Sequence, residues 1–393
     1  MANNTSTNRG QSPATAPSQP LAELTALGQS VWLDFITRNM IHNGELHKLI
    51  QEDGVRGVTS NPSIFEQAIS AGDAYDQQLR TLAEQAFGGP ELFEALAVQD
   101  IQGACDLFLP LYESTGGQDG FVSIEVSPGQ AYDTEATLIE ARRLWQAVDR
   151  PNVMVKVPGT PEGLPAIEQL LSEGLNINIT LLFSIDRHEE VMWAYIRALE
   201  ARQVADESLD NIASVASFFV SRVDTLVDRL LEEQIRAETH PATQEKLRGL
   251  LGKAAIANAK LAYARFQEIF GGERFEQLQA AGARVQRPLW ASTSTKNPEY
   301  RDVRYVEELI GPHTVNTMPL ATMTAFQDHG AIRRTLDEGL DDAQAVLDAL
   351  HEVGIDYHAI TQQLEQEGVA AFAKSYDSLI AHVEQKAAAM RSR

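Results

Sequence analysis

Residues 152–158 read Asn-Val-Met-Val-Lys-Val-Pro. Successive side chains of a strand point to opposite faces. Val153, Val155 and Val157 therefore share one face, and Asn152, Met154 and Lys156 share the other. The same alternation recurs in Val-Ser-Ile-Glu-Val-Ser-Pro at 122–128, where Val122, Ile124 and Val126 oppose Ser123, Glu125 and Ser127. It recurs again in Asn-Ile-Asn-Ile-Thr-Leu at 176–181, where Ile177, Ile179 and Leu181 oppose Asn176, Asn178 and Thr180. Each stretch presents one apolar face suited to packing under helices. Each presents one polar face that a closed sheet would turn inward.

Working outward, eight β-rich runs appear, near Val31–Thr37, Val55–Thr59, Phe121–Val126, Asn152–Val157, Leu175–Thr180, Ile212–Ala216, Pro288–Ser292 and Thr314–Met318. Helical patterns follow most of them. Strands alternating with helices predict parallel βα units, and eight units predict an α/β fold closed as a (β/α)8 TIM barrel. The chain of 393 residues fits one barrel over 21–393. Extra helices are expected at about 219–285, between the sixth and seventh strands, and at about 330–390. Val220, Val223, Val227, Leu230 and Leu231 carry the helical period in the first segment. Thr160-Pro161 reads as a helix start, Gly174 as the end of that helix, and Asp186 with Glu189 as a capping box.

Composition narrows the function. The formal net charge is −23, so nucleic acid and anionic membranes are repelled. An anionic substrate then needs a local group of cations. Cys105 is the only cysteine and the nine histidines are scattered, which offers neither a disulfide nor a metal-ligand motif and suits a reducing, cytoplasmic setting. Residues 1–20, rich in Asn, Thr, Ser and Pro, read as a disordered leader rather than a secretory signal. No run of ~18 apolar residues is present to span a bilayer. No nucleotide-binding glycine motif is present either.

Polar residues collect at the C-terminal ends of the expected strands, where barrel active sites lie. Asp34 is on the first strand, Asn61 just past the second, and Glu125 and Lys156 on the third and fourth. Asn178 and Thr180 are on the fifth, Ser217 follows the sixth, and Ser292 to Lys296 follow the seventh. Burial favours the neutral form of a lysine, and a neutral amine can attack a ketone to form a Schiff base, with a carboxylate such as Asp34 or Glu125 to move protons. Spacing alone leaves other readings open. Lys156 also reads as a snorkelling structural lysine, Glu125 as its salt-bridge partner, Asp34 as a strand-end carboxylate capping a helix, Asn61-Pro62 as a helix-starting turn, and Arg222 as a solvated helix residue.

Six blocks carry a family resemblance: Gly-Val-Thr-Ser-Asn-Pro-Ser-Ile-Phe (57–65), the 122–128 strand, Val-Met-Val-Lys-Val-Pro-Gly-Thr-Pro-Glu-Gly (153–163), Asn-Ile-Thr-Leu-Leu-Phe-Ser (178–184), Ala-Ser-Phe-Phe-Val-Ser-Arg-Val-Asp (216–224) and Ala-Ser-Thr-Ser-Thr-Lys-Asn (291–297). In this order they resemble the signature blocks of transaldolases, in a longer bacterial-type subgroup. The resemblance implies a cofactor-free, metal-free transferase of the pentose phosphate pathway, a monomer or homodimer acting on sugar phosphates. It implies transfer of a dihydroxyacetone unit from sedoheptulose 7-phosphate to glyceraldehyde 3-phosphate. By motif, Lys156 would be the Schiff-base lysine, Asp34 the acceptor of the C4 hydroxyl proton, and Glu125 with Thr180 the pair acting through a water. Asn61, Asn178 and Ser217 would bind the dihydroxyacetone hydroxyls, and Arg222 and Lys296 the phosphate. Many transaldolases carry arginine at the position of Lys296, and lysine makes no bidentate contact. The alternatives are a fructose 6-phosphate aldolase-like enzyme, in which a tyrosine replaces the residue matching Phe219, and a non-catalytic sugar-phosphate-binding barrel.

Overall fold

The computed structural model describes residues 20–391 except Ala86; the leader expected at 1–20 lies, but for Pro20, outside the described residues. Among these, eight strands close in sequence order: β1 (Gln29–Leu33), β2 (Gly57–Val58), β3 (Phe121–Glu125), β4 (Val153–Pro158), β5 (Ile177–Leu182), β6 (Ser214–Phe219), β7 (Arg287–Ala291) and β8 (Thr314–Met318). All neighbours pair in parallel, and β1 pairs β8 to close the barrel. The helices used below are α1 (Pro62–Ser70), α2 (Gly89–Ser114), α3 (Thr134–Val148), α4 (Gly163–Ser172), α5 (Ile185–Val204), α6 (Ser221–Ala237), α7 (Ala254–Phe270) and α8 (Tyr357–Arg391). Two shorter helices, Pro241–Arg248 and Glu273–Ala280, stand with α6 and α7 between β6 and β7. No described helix is long and apolar enough to cross a membrane.

Local chemistry sets the joints. Asn61 accepts from Ile64 N at 3.1 Å and Pro62 takes the first turn of α1, because an N-cap oxygen satisfies an otherwise orphaned donor and proline has no donor to lose. Before α4 the helix begins later than Thr160-Pro161 suggests, at Gly163 with Glu162 in the cap position; Thr160 Oγ1 still accepts from Gly163 N at 3.0 Å, and Gly174 at φ +99° follows the helix end. The start of α5 differs from expectation. Ser184, not Asp186, is the cap, accepting from Arg187 N at 3.0 Å.

Three strand readings shift. β1 ends at Leu33 because Thr37 caps a short helix, accepting from Met40 N at 3.2 Å. Asp34 thus stands just past the strand, although its N–H still reaches Met318 O at 2.9 Å. β6 runs on to Phe219, so Ser217 lies within it rather than after it. Leu181 leaves the outer face predicted by alternation. Its φ is +62° and the β5–β6 register shifts between Ile179 and Leu182. The bulge re-aims the side chain toward Gly368 of α8, where an added Cβ would lie 2.9 Å from Leu181 Cδ2.

Val153, Val155 and Val157 are fully buried, and Phe218 stacks edge-on against Trp290 at 6.1 Å. On the face carrying Asp34, Trp32 pairs in register with Gly57. A Cβ on Gly57 would fall 2.6 Å from Trp32 Cε2, so the indole occupies the space that β2 leaves by having no side chain there. Overpacking a core costs about 1–3 kcal/mol, and Gly57→Ala should lower the unfolding free energy measured by urea titration by that amount, moving the midpoint down. Adding Trp32→Phe should recover part of the loss, and an unchanged midpoint in Gly57→Ala would reject this packing account.

Candidate active site

The ladder that joins β3, β4 and β5 sets Glu125 opposite Lys156 and Lys156 opposite Asn178. The three functional side chains therefore stand at one height on adjacent strands and point into the barrel. Lys156 is 5% exposed and the Glu125 side chain 4%. Lys156 Nζ lies 3.2 Å from Glu125 Oε2 and donates to Ser60 O at 3.0 Å. The ion pair is close, yet Glu125 Oε2 receives no well-directed hydrogen bond, and Thr180 Oγ1, one layer above, is also buried without a partner.

Asp34 stands just past the end of β1 and acts on the same lysine. The Thr59 hydroxyl donates to Asp34 Oδ1 at 2.7 Å and lies 2.7 Å from Thr317 Oγ1. With its one proton spent on Asp34, Thr59 must accept from Thr317. Burial pushes the Asp34 carboxyl up, opposed by Lys156, then the Thr59 hydrogen bond, then Lys296. Burial likewise pushes Glu125 up, opposed by Lys156, while Asp34 adds to the rise. Desolvation outweighs the ammonium's attraction at both carboxyls.

Asn178 is held from both ends. Its Nδ2 donates to Ser123 Oγ at 3.0 Å, and its Oδ1 accepts from Ser217 Oγ at 2.7 Å. Asn61 spends its Oδ1 on the α1 cap, so the turn reading of Asn61-Pro62 is what the backbone uses. Its Nδ2 makes no hydrogen bond among the described residues.

A second charge centre forms above this group. The β6–β7 pairing continues past the strand ends through Val220 N to Ala291 O and Ser221 N to Ser292 O, each 3.0 Å. Ser292 then turns the chain with φ +56°, and Thr293 Oγ1 fastens the loop to Asn316 Oδ1 at 2.9 Å. This brings Lys296 near Arg222 in the first turn of α6. The Arg222 guanidinium lies 5.3 Å from the Phe219 ring and 5.9 Å from the Phe372 ring. Burial lowers its pKa, and burial together with repulsion from Arg222 lowers that of Lys296. Neither cation has a carboxylate within ion-pair distance among the described residues. Two neighbouring cations without an ion-pair partner among the described residues are suited to an anion.

Helix α8 crosses the mouth of the barrel. The Phe372 ring sits 5.9 Å from Lys156 Nζ, within reach of a cation–π contact. Ser375 Oγ accepts from Ser63 Oγ of α1 at 2.8 Å. A Cβ on Gly368 would lie 3.7 Å from Arg222 Nη1 as well as against Leu181. The strand register and these contacts place the ten residues anticipated from sequence at the C-terminal end of the barrel. Phe372, Gly368, Thr59, Thr317 and Ser123 were not anticipated as part of the site. Gly368 carried a signal, since glycine inside a helix costs about 1 kcal/mol against alanine and calls for a close approach. Phe372 carried none.

A profile of the family described as Transaldolase/Fructose-6-phosphate aldolase matches residues 31–383. The chain is 50% identical over 367 residues to a protein named transaldolase from Acidothermus cellulolyticus, covering 93% of this chain and 96% of that one. It is 49% identical to the Thermobifida fusca transaldolase, over 94% of this chain and 99% of that protein. It is 46% identical to that of Trichodesmium erythraeum, over 93% and 97% respectively. With the conserved length of these matches and the buried lysine between two carboxylates, the chain belongs to the transaldolase/fructose-6-phosphate aldolase family.

Proposed function

We propose that this chain is a transaldolase that moves a dihydroxyacetone unit from sedoheptulose 7-phosphate to glyceraldehyde 3-phosphate, giving erythrose 4-phosphate and fructose 6-phosphate, through a Schiff base on Lys156. The observation that carries the reading is a lysine buried between two carboxylates, with two unpaired cations held above it. Lys156 Nζ gives its proton to Glu125 and attacks the ketone carbon. Glu125 returns that proton to the departing hydroxyl, with Thr180 helping to hold a water between them. Thr180 Oγ1, buried without a hydrogen-bond partner, supports that assignment, since such an atom normally finds a partner.

The iminium draws electrons as the C3–C4 bond breaks. Asp34 takes the C4 hydroxyl proton, the aldose leaves, and the three-carbon enamine stays on Lys156. An acceptor aldehyde adds by the reverse steps. Asn178, fixed by Ser123 and Ser217, and Asn61, with its free Nδ2, bind the dihydroxyacetone hydroxyls. Arg222 and Lys296 bind the phosphate, and Phe219 supports the guanidinium. The relatives named transaldolase favour this over a fructose 6-phosphate aldolase, as does Phe219. Fructose 6-phosphate turnover that depends on an acceptor aldose phosphate separates the two.

The deciding test is borohydride trapping with fructose 6-phosphate. The expected result is a dihydroxyacetone-derived adduct on the Lys156 peptide and none on folded Lys156→Ala. A folded protein without an adduct would overturn the mechanism and leave a sugar-phosphate-binding barrel. Hydrogen bonds to charged groups are worth about 1.5–3 kcal/mol, so Arg222→Ala should raise KM for phosphorylated sugars about 10–100-fold while kcat changes less. Equal losses in kcat and kcat/KM would remove Arg222 from the phosphate site. Asp34 must be ionised to accept a proton, and the Thr59 hydrogen bond holds its pKa down. Thr59→Val should therefore move the acid limb of the kcat profile to higher pH, and a shift to lower pH would contradict the role given to Asp34.

A further inference from the structure

The barrel wall has a gap beside Glu125. β2 is two residues long, and its ladder with β3 ends at Val58 opposite Val122, three residues short of Glu125. On the other side, the β3–β4 ladder reaches Glu125 itself. Above Val58 the chain turns at once into the Asn61 cap, and the two strands are joined by Ser60 Oγ donating to Ser123 O at 2.7 Å. Behind this opening lies a cavity of about 30 Å³, walled largely by apolar side chains of β3, α1, α2 and α3, with Ser60, Asn61, Glu125, Ser127, Glu140 and Tyr376 among its polar lining. That is room for about two waters, with polar partners on several sides. Ser127, Glu140 and Tyr376 also line an open groove on the outer surface, between α3 and α8. Ser127 Oγ donates to Glu140 Oε1 at 2.6 Å and lies 3.3 Å from the Tyr376 hydroxyl. The same three side chains therefore separate the cavity at Glu125 from bulk solvent.

We propose that this cavity is the water port of the Schiff-base steps, and that Ser127, Glu140 and Tyr376 form its gate. The proposal rests on the Lys156–Glu125 chemistry above. Forming the iminium joins Nζ to the ketone carbon and expels the carbonyl oxygen as water, with the proton passing from Lys156 through Glu125 to that oxygen. Hydrolysis at the end of the cycle consumes one water, whose proton goes to Glu125 as its hydroxide adds to carbon. Both waters arise or are used at Glu125, a residue of the cavity's lining, while Phe372 covers the lysine from the mouth. The gate residues position and pass water and do not touch the substrate.

The test follows loss of label from fructose 6-phosphate carrying ¹⁸O at C2, compared with release of the aldose phosphate in the same incubation. Ala97 lines the cavity, and Ala97→Leu fills it without changing the gate. Ser127→Val removes the gate's central hydroxyl. In either variant the expelled water should stay and return, so label loss per cleavage event should fall several-fold while the amount of adduct trapped on Lys156 at equilibrium stays the same. An unchanged ratio in a variant with native circular dichroism would overturn the port, and Ser127→Val decides the matter if Ala97→Leu does not fold. Failure of the wild-type protein to form the Lys156 adduct would overturn the underlying reading, and the port with it. An intact adduct with an unchanged ratio would overturn the port alone.

Discussion

The structure turns on keeping one ammonium and two carboxylates in a shared, desolvated space. Leaving a single buried charge without its partner costs about 3–5 kcal/mol, so Lys156 and Glu125 are tolerable only together. Their 3.2 Å separation is a product of register. A slip of one residue in the β3–β4 ladder would turn Lys156 into the helix layer and expose Val155 or Val157 to the polar interior. The fully buried valines of β4 therefore hold the chemistry in place as much as the polar groups do. The surrounding polar contacts (Ser60 O on Lys156, Thr59 and Thr317 behind Asp34) complete the solvation that water no longer supplies.

That logic explains what could be read from sequence. Alternation revealed the inward face of β3, β4 and β5, because polar residues at every second position have no other economical place in a closed sheet. Strand ends were less legible. Asp34 was placed on β1 and Ser217 beyond β6, since propensity does not report where a cap such as Thr37 stops one strand or where a ladder carries another onward. Leu181 followed the period of its neighbours and still pointed elsewhere. The bulge that redirects it depends on α8, some 180 residues away, and no local rule contains that contact. Phe372 was hidden for the same reason. A 35-residue helix offers several apolar positions, and packing alone decides which one meets Lys156.

Charge is distributed with a purpose that net totals obscure. A chain at −23 repels an anion at long range, but exposed charges are screened beyond about 8 Å at physiological salt. Arg222 is half-buried, backed by Phe219 and Phe372, and among the described residues no carboxylate lies within ion-pair distance of it. Its field is less screened than that of the surface acids, and Glu367 offsets it only from beyond ion-pair distance. The raised pKa of Asp34 and the lowered one of Lys296 are each set first by burial; Lys156 opposes the shift at Asp34, whereas Arg222 deepens the shift at Lys296, and Asp34 and Lys296 oppose each other's shifts.

Helix α8 makes the two centres into one site. Phe372 lies 5.9 Å from both the Lys156 ammonium and the Arg222 guanidinium, so one ring covers the space between amine and anion site. The helix is anchored along its length, by Ser375 to α1 and by Lys386 to Asp76 at 2.9 Å, and acts as a wall. Excluding water strengthens every electrostatic contact inside. On the proposed chemistry it has a second consequence. A three-carbon enamine on Lys156 is lost if a proton reaches its carbon before an acceptor does. An apolar ring over the lysine limits that proton supply, while the carboxylate that handles water stands on the opposite flank at β3. Separating the two approaches would let one lysine retain its intermediate and still complete the hydrolysis that frees it.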